Sequence, residues 1–408
     1  MSGNVQVVKD GTVTSPRGFV AGASYAGMKT YSQDKMDLGI LLSKGPCLTV
    51  GTYTTNSLPS LSVVLTKQQV AAGRVRGAVA SSGIANACVG QQGMVDAQEM
   101  VDLAAKHVGV APEELGVCTT GLVGVELPMA LIRSGMPKVT LSEAGGAIFA
   151  RAIMTTDKRP KSIAVTCKLG GKVVTLGGCI KGSGMIHPNM ATMLCFLTTD
   201  AAFFDREYAQ GALRRAVDNT LNMASIDGDG STNDTVLLFA SGVAGNAPVT
   251  AGSPDASVFE EALTAICTEL TKELMRDAET AVSTIFSVTV EGARNDADAR
   301  SAARTIASSS LVKAAVHGND PNWGRVIVAL GNSGAEVNES QVALLIDEVA
   351  IMEEGKPIPF HKDAIVAMMR ELSEVSFTVR LGLGDAKATA WGCELTEEYV
   401  TFNSAYTT

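Results

Sequence analysis

The chain has 408 residues, enough for two domains or one large two-part unit with an ample core. It is 46% hydrophobic and 18% charged with a formal net charge of −9, a globular composition that argues against nucleic acid and anionic membranes as partners. The N-terminus lacks the apolar core of a signal peptide, and no run approaches the roughly 18 apolar residues of a membrane helix, so we expect a cytoplasmic protein.

Helical and strand patterns are mixed along the chain. In chain order they predict a helix at 95–108, a helix at 141–154, strands at 162–167 and 172–176, a helix at 205–222, a strand at 235–240, a helix at 256–275, a strand at 285–291, a helix at 297–308, strands at 326–330 and 342–346, a helix at 362–372, and strands at 376–380 and 387–395. Ser142 and Asp205 are expected to cap helices, Gly170-Gly171 predicts a hairpin turn, and 241–256 is typical of a surface loop. Because the two element types do not alternate strictly, we predict an α+β fold, a layered sandwich of mixed sheets with helices.

The cysteines and histidines give no metal-binding pattern. Eight scattered cysteines, none spaced C-x-x-C, indicate reduced thiols that fill the core. The four histidines form no ligand-like pair, so we predict no metal site. The chemistry described below, with one nucleophile and one oxyanion site, predicts no cofactor.

The segment KGSGMIHPNMATMLCF (181–196) contains a candidate nucleophile, Thr192. No histidine and aspartate lie nearby in the arrangement that activates a hydroxyl group in a serine hydrolase. A threonine needs neither if it becomes a chain N-terminus, because its α-amine, with an unperturbed pKa of about 7.7–8.0, then accepts the hydroxyl proton. The alternative is an ordinary buried threonine after Ala191.

An acyl-transfer site also needs donors for the oxyanion. The segment GVCTTGLVGVELP (116–128) places glycines around Thr119-Thr120, and glycine lets backbone N–H groups approach a ligand closely. The alternative is a glycine-rich turn. Lys181 precedes another flexible turn, where it either holds a substrate carboxylate or faces solvent.

Two further loops carry weaker signals. The segment SIDGDGSTNDT (225–235) lacks the glutamate that ends a calcium-binding loop, so a calcium site is rejected. The segment GNDPNWGRV (318–326) predicts a turn with a buried Trp323.

Six segments, spread in order over most of the chain, resemble the ornithine acetyltransferase family, also described as bifunctional glutamate N-acetyltransferases of arginine biosynthesis. They are TTGLVGVELP (119–128), AIMTTD (152–157), KGSGMIHPNMATML (181–194), DGDGSTNDT (227–235), DPNWGR (320–325) and ATAWGCELTEEYVTFNSAYTT (388–408).

The resemblance implies a precursor that cleaves itself between Ala191 and Thr192, giving an α chain (1–191) and a β chain (192–408) that assemble as α2β2 or larger. Thr192 would then accept the acetyl group of N-acetylornithine and pass it to glutamate, with acetyl-CoA left open as a second donor. Thr120 and Gly121 match the oxyanion pair of the family, whose fold is shared with an aminopeptidase that generates its own N-terminal nucleophile. The positions that match substrate contacts are Thr155, Lys181, Glu279, Asn403 and Thr408.

Three segments depart from the family pattern. Residues 277–283 read DAETAVS where the family has DGEGATK, residues 81–88 read SSGIANAC where NSGNANAC is usual, and Gly230 replaces a common threonine. Since these changes concern substrate recognition, an amidase or peptidase of small N-acyl compounds, with the same fold and nucleophile, is the alternative function. A third hypothesis is a binding or scaffolding protein that has lost processing.

Overall fold

The structure is a computed structural model that describes residues 4–29, 35–187, 193–278 and 282–405. Within these ranges the chain forms seventeen strands, which are β1 (Gln6–Val8), β2 (Phe19–Ser24), β3 (Leu38–Ser43), β4 (Leu48–Tyr53), β5 (Gly77–Ile84), β6 (Leu115–Leu122), β7 (Lys161–Leu169), β8 (Lys172–Lys181), β9 (Leu194–Thr199), β10 (Ala224–Ser225), β11 (Thr235–Ala240), β12 (Ile285–Ala293), β13 (Ala343–Ile346), β14 (Val349–Glu353), β15 (Lys356–Pro357), β16 (Glu374–Arg380) and β17 (Ala386–Cys393).

The same ranges contain eleven α-helices, which are α1 (Leu61–Ala72), α2 (Gln92–Val108), α3 (Met129–Gly135), α4 (Gly146–Ala152), α5 (Arg206–Asn219), α6 (Pro254–Arg276), α7 (Asp296–Ser308), α8 (Ser310–His317), α9 (Trp323–Gly331), α10 (Lys362–Glu371) and α11 (Glu397–Ala405). Among these described helices, none combines the length and the apolar character needed to cross a bilayer.

Three sheets organise the molecule. A four-stranded sheet (order β2-β3-β5-β6) and a six-stranded sheet (order β1-β7-β8-β9-β11-β4) pack face to face, and a seven-stranded sheet (order β10-β17-β12-β16-β13-β14-β15) completes the set. Helices α2 and α3 cover the outer face of the first sheet. Helices α5 and α6 lie between the second and third sheets, and α7 packs on β12 and β17. The predicted α+β fold, a layered sandwich of mixed sheets, is therefore confirmed.

The strongest local signals in the sequence produced the expected elements. The Asp205 carboxylate caps α5 by accepting a hydrogen bond from the Tyr208 N–H at 2.6 Å. Strands β7 and β8 pair antiparallel from Leu169↔Lys172 onward, and Gly170 and Gly171 turn the chain with φ of 53° and 80°. The loop predicted after residue 240 ends where α6 begins at Pro254.

Two element predictions are wrong, and packing explains both. The β-branched run at 326–330 lies in α9, where Val326, Ala329 and Leu330 are buried at helical spacing. Asn322 caps the helix, since its side-chain oxygen accepts a hydrogen bond from the Arg325 N–H at 3.3 Å. The helix predicted at 141–154 is shorter, because Ser142 exchanges two backbone hydrogen bonds with Ala21 (2.9 and 3.0 Å) instead of capping a helix.

The burial of Trp323 and of the cysteines bears on two smaller predictions. Trp323 is half-buried and begins α9, so it is not the buried side chain of a turn. The prediction of core-filling thiols holds for six cysteines, which are Cys118, Cys167, Cys179, Cys195, Cys267 and Cys393, whereas Cys47 is half-buried and Cys88 is exposed.

The contact between the four- and six-stranded sheets can be tested at Phe196. This buried side chain on β9 packs edge-to-face on Phe149 of α4, with ring centroids 5.0 Å apart. Phe196→Ala should lower the free energy of unfolding by about 3–5 kcal/mol, because it leaves a cavity between the two sheets. Denaturant unfolding measures this loss, and Phe204→Ala is the control since Phe204 is 75% exposed. Equal midpoints for the two variants would contradict the shared core.

Candidate active site

A cavity of about 310 Å³ opens where five distant parts of the chain meet, one of which is the turn after α4 that carries Thr155. It lies at the ends of β6 and β8, beside the loop from β10 to β11 and against α11. Five of the predicted site residues line it together, which are Thr120, Gly121, Thr155, Lys181 and Asn403. The other predicted positions, Ala191, Thr192, Glu279 and Thr408, lie outside the described residues.

Both flanks of the segment that contains Thr192 are held next to this cavity. On one side, Gly184 and Met185 line the cavity. On the other side, the Met193 carbonyl accepts a hydrogen bond from the Thr235 N–H at 2.9 Å, and Leu194 pairs with both Lys181 and Thr235. The start of β9 is thus fixed between the end of β8 and the start of β11.

Glycine is required at position 121 because two backbones approach each other there. Gly121 has a φ of 132°, and a Cβ at this position would lie 2.2 Å from the carbonyl carbon of Gly83 on the parallel strand β5. The three nearest atoms are the carbonyl carbon and oxygen of Gly83 and the backbone nitrogen of Ile84, so no flexible side chain can move to relieve the clash. The adjacent Thr120 is 5% exposed, and its position follows directly from this packing.

The Asn233 side chain fixes the strand that carries Thr120. Its amide Nδ2 donates to the Ala85 carbonyl at 2.6 Å and to the Thr119 carbonyl at 2.8 Å, while its Oδ1 accepts from the Thr232 hydroxyl at 2.6 Å. Asn233 lines the cavity and is 4% exposed. The loop sequence alone gives no sign of this role, since Ala85 and Thr119 are more than one hundred residues from Asn233 along the chain.

Asp227 joins three segments around the cavity. Its carboxylate accepts hydrogen bonds from the N–H groups of Met185 at 2.5 Å and Ile186 at 2.8 Å, and from the Tyr399 hydroxyl at 3.2 Å. The loop 225–235 was rejected as a calcium site, and the structure shows that this carboxylate serves backbone and phenol donors. Asp227 therefore ties the chain before residue 188 to α11, on which Asn403 also lies.

A buried triad of ionisable side chains, Asp157, Lys161 and Asp277, supports the other side of the cavity. The Lys161 ammonium lies 2.5 Å from Asp157 Oδ1 and also contacts Asp277, and its side chain is fully buried. Asp157 accepts hydrogen bonds from the N–H groups of Thr155 at 2.9 Å and Gly182 at 2.7 Å. The triad thereby fixes Thr155, the turn after Lys181, and the chain immediately before the segment that contains Glu279.

Two carboxyl groups near Lys181, those of Asp157 and Asp234, differ in how readily they ionise. Burial alone would raise the pKa of Asp157, but the charges of Lys161 and Lys181 and the Gly182 N–H hold that pKa below its ordinary value. Burial raises the pKa of Asp234 well above its ordinary value, and Lys181 and Ser231 offset this only in part. Lys181 thus interacts electrostatically with an ionised Asp157 and with an Asp234 that resists ionisation.

Lys161→Met should destabilise the chain by about 3–5 kcal/mol, because two carboxylates would remain buried without their shared cation. Denaturant unfolding at pH 7 measures this, and Lys168→Met is the matched control, since Lys168 is an exposed lysine on the same strand. A loss no larger than that of the control would contradict the role of the triad.

The pH dependence of the same pair of proteins gives a second readout. Because the pKa of Asp157 is lowered on folding, its stabilising contribution is present at neutral pH and is lost as pH falls below about 4. Without Lys161 the pKa of Asp157 rises towards or above its unfolded value, so Lys161→Met should lose less stability than the wild type as pH falls through this range.

Comparisons with known proteins agree with the resemblance found in the motifs. The sequence model of the ArgJ family matches residues 20–408. The arginine biosynthesis bifunctional protein ArgJ of Symbiobacterium thermophilum is 48% identical over 400 residues, which cover 98% of this chain and 99% of that protein. The protein of the same name from Dehalococcoides mccartyi is 43% identical over 409 residues and covers 100% of both chains.

A solved structure gives a further match. The arginine biosynthesis bifunctional protein ArgJ of Bacillus halodurans is 40% identical with a TM-score of 0.50, and the match covers 52% of this chain and 98% of that chain. The family predicted from the sequence motifs is confirmed: the chain belongs to the ArgJ family.

Proposed function

We propose that this chain is a self-cleaving acyltransferase of arginine biosynthesis that moves the acetyl group of N2-acetyl-L-ornithine to L-glutamate through an acyl-enzyme on Thr192. The observation that carries the proposal is the convergence of Thr120, Gly121, Thr155, Lys181 and Asn403 on one cavity, in a chain of the ArgJ family. Both flanks of the 188–192 segment are held at that cavity, which favours Thr192 as the reacting residue.

Cleavage between Ala191 and Thr192 would create the nucleophile. The Thr192 hydroxyl attacks the Ala191 carbonyl carbon, the C–N bond breaks as the amine takes up a proton, and water hydrolyses the resulting ester. The products are an α chain of residues 1–191 and a β chain of residues 192–408. The match to the Bacillus halodurans structure is consistent with this division, since 98% of that solved chain corresponds to only 52% of this one.

Acetyl transfer then proceeds in two steps. The Thr192 hydroxyl adds to the acetyl carbonyl while its proton passes to the Thr192 α-amine, and the C–N bond breaks as the same proton goes to the departing ornithine amine. The neutral amine of glutamate next attacks the threonine ester, which releases N-acetylglutamate and restores Thr192. In both steps Thr120 and Gly121 would stabilise the oxyanion.

The charges around the cavity suit amino-acid substrates. Lys181 would hold the α-carboxylate that donor and acceptor share, and Asp227 and Asp229 line the same cavity. Thr155, Asn403 and Thr408 complete the proposed contacts, and Glu279 would bind the δ-ammonium group of ornithine. A volume of about 310 Å³ is of the size that pockets for small ligands have.

The departure at 277–283 begins at Ala278 and leaves Asp277, which anchors that segment, unchanged. Asp277 bonds to Lys161 and accepts a hydrogen bond from the Lys158 N–H at 3.2 Å, and Ala278 is 2% exposed. This anchoring favours the transferase over an amidase or peptidase with the same nucleophile. The retained Lys181 and oxyanion segment argue against a non-catalytic binding protein.

Three properties complete the proposal. Acetyl-CoA serves as a second acetyl donor, in keeping with the word bifunctional in the names of the related proteins. The α and β chains assemble as an α2β2 heterotetramer, and the enzyme works in the cytoplasm, as the sequence analysis predicts.

Thr192→Ala should remain a single uncleaved chain and show no acetyl transfer, because it lacks the hydroxyl group that both reactions need. An intact-mass spectrum and an assay with N-acetylornithine and glutamate measure the two effects. Thr192→Ser is the control and should retain cleavage and part of the activity. An active Thr192→Ala protein would rule out the mechanism, and N-acetylornithine hydrolysis by the wild type that glutamate does not redirect into N-acetylglutamate would favour the amidase.

The oxyanion role can be tested at Gly121. Gly121→Ala should lower kcat by about 10²–10³, because the added Cβ displaces the backbone against Gly83. Gly124→Ala is the matched control: Gly124 also has a positive φ (79°), yet a Cβ there meets nothing within 4 Å. Thr120→Val removes the hydroxyl group at nearly constant volume and should lower kcat as well. Equal kcat values for the Gly121 and Gly124 variants would contradict the assignment.

A further inference from the structure

A second cavity lies on the opposite side of the segment that precedes residue 188. It has a volume of about 420 Å³ and is lined by α7, the end of α5 and His187. An adjoining cavity of about 350 Å³ shares Met223 and Arg300 with it. We call the two together the arginine groove, since Arg300 borders both and Arg304 lies one helical turn further along α7.

Arg300 is the main reason to expect an anion in this groove. Its side chain is half-buried, and within the described residues it has no ion pair and no hydrogen bond. Guanidinium groups in such positions ordinarily pair with a carboxylate or a phosphate, which they bind through two parallel N–H donors. The guanidinium of Arg300 is thus available to a ligand from either cavity.

The other polar groups of the groove interact mainly with one another. Arg304 contacts the His187 ring at 3.2 Å, and burial together with the Arg304 charge lowers the pKa of His187 to about 4, so the imidazole is neutral at pH 7. The Asp218 carboxylate accepts a hydrogen bond from the Asn222 amide at 2.8 Å. In the adjoining cavity Lys387 pairs with Glu291 at 2.7 Å, beside Asp296. The charge that the groove offers to an anionic ligand is therefore that of Arg300.

Residues 184–187 form the wall between the arginine groove and the candidate active-site cavity. Gly184 and Met185 line the active-site cavity, whereas His187 lines the groove. Asp227, through the Met185 and Ile186 N–H groups, and Ser225, 3.0 Å from the His187 ring, hold this wall in place. A ligand in the groove would therefore lie next to the reacting segment without occupying the substrate cavity.

We propose that the arginine groove binds the phosphate groups of the acetyl-CoA donor, with the thioester reaching the active-site cavity past the 185–187 wall. The inference rests on the proposed function, since that function requires a second acetyl donor. The active-site cavity has the size of an acetylated amino acid, so the nucleotide portion of a CoA thioester has to bind outside it. The groove supplies the guanidinium groups that phosphates prefer, on the neighbouring surface.

Calorimetric titration of the purified protein with CoA, 3′-dephospho-CoA and inorganic pyrophosphate tests the proposal. CoA should bind most tightly, and Arg300→Gln should weaken its binding about tenfold, the effect of one lost charge-assisted interaction. Arg214→Gln is the matched control, because Arg214 is exposed on α5 and lines neither cavity.

A second variant pair keeps every buried group unchanged. Ala297 is exposed at the rim of the groove, so Ala297→Glu adds a negative charge there without disturbing the packing, and Ala297→Gln adds a similar volume without charge. Only the glutamate variant should weaken CoA binding. The KM for acetyl-CoA should rise by the same factor, judged against the KM for N-acetylornithine measured on the same protein.

Three results would overturn the proposal: no binding of CoA, CoA binding that neither Arg300→Gln nor Ala297→Glu changes, or pyrophosphate binding as tight as that of CoA. The last would identify the groove as a site for free phosphate instead. Transfer from N-acetylornithine to glutamate by the wild type reports on the proposed function separately, so CoA binding without that transfer would uphold the groove and reject the function.

Discussion

The buried triad of Asp157, Lys161 and Asp277 is the interaction on which the geometry of the candidate site depends most. Removing three charges from water costs several kcal/mol for each ion, and the mutual attraction returns this only when hydrogen bonds complete the arrangement. Here they do, since the two carboxylates also accept the N–H groups of Thr155, Lys158 and Gly182. The triad therefore contributes more to the positions of the segments it joins than to the net free energy of folding.

The position it fixes is shared by three segments. Thr155 follows α4, Lys181 ends β8, and Asp277 ends α6, so a shift in any of these elements would break a buried ion pair or hydrogen bond. On the facing side, Asn233 and Asp227 perform the same task with hydrogen bonds alone. Asp157, Lys161 and Asn233 are buried polar groups, which tolerate little displacement before a hydrogen-bond partner is lost.

Asp227 also links the two cavities. Its carboxylate holds the 185–186 backbone, which has the substrate cavity on one side and the arginine groove, through His187, on the other. The segment that leads to residue 188 is therefore fixed from both sides.

The sequence by itself determined the strong local signals and the family. Elements with clear periodicity or caps, such as the β7–β8 hairpin and α5, form where they were predicted, because their hydrogen bonds join neighbouring residues. Thr120, Gly121, Thr155, Lys181 and Asn403 were named from motifs and line one cavity. Only the tertiary structure decided that 326–330 is a helix, that β5 is a strand despite its small residues, and that Lys161 and Asn233 support the site. Those outcomes depend on burial and on distant partners, such as Asp277 for Lys161 and Ala85 for Asn233, which no local pattern encodes.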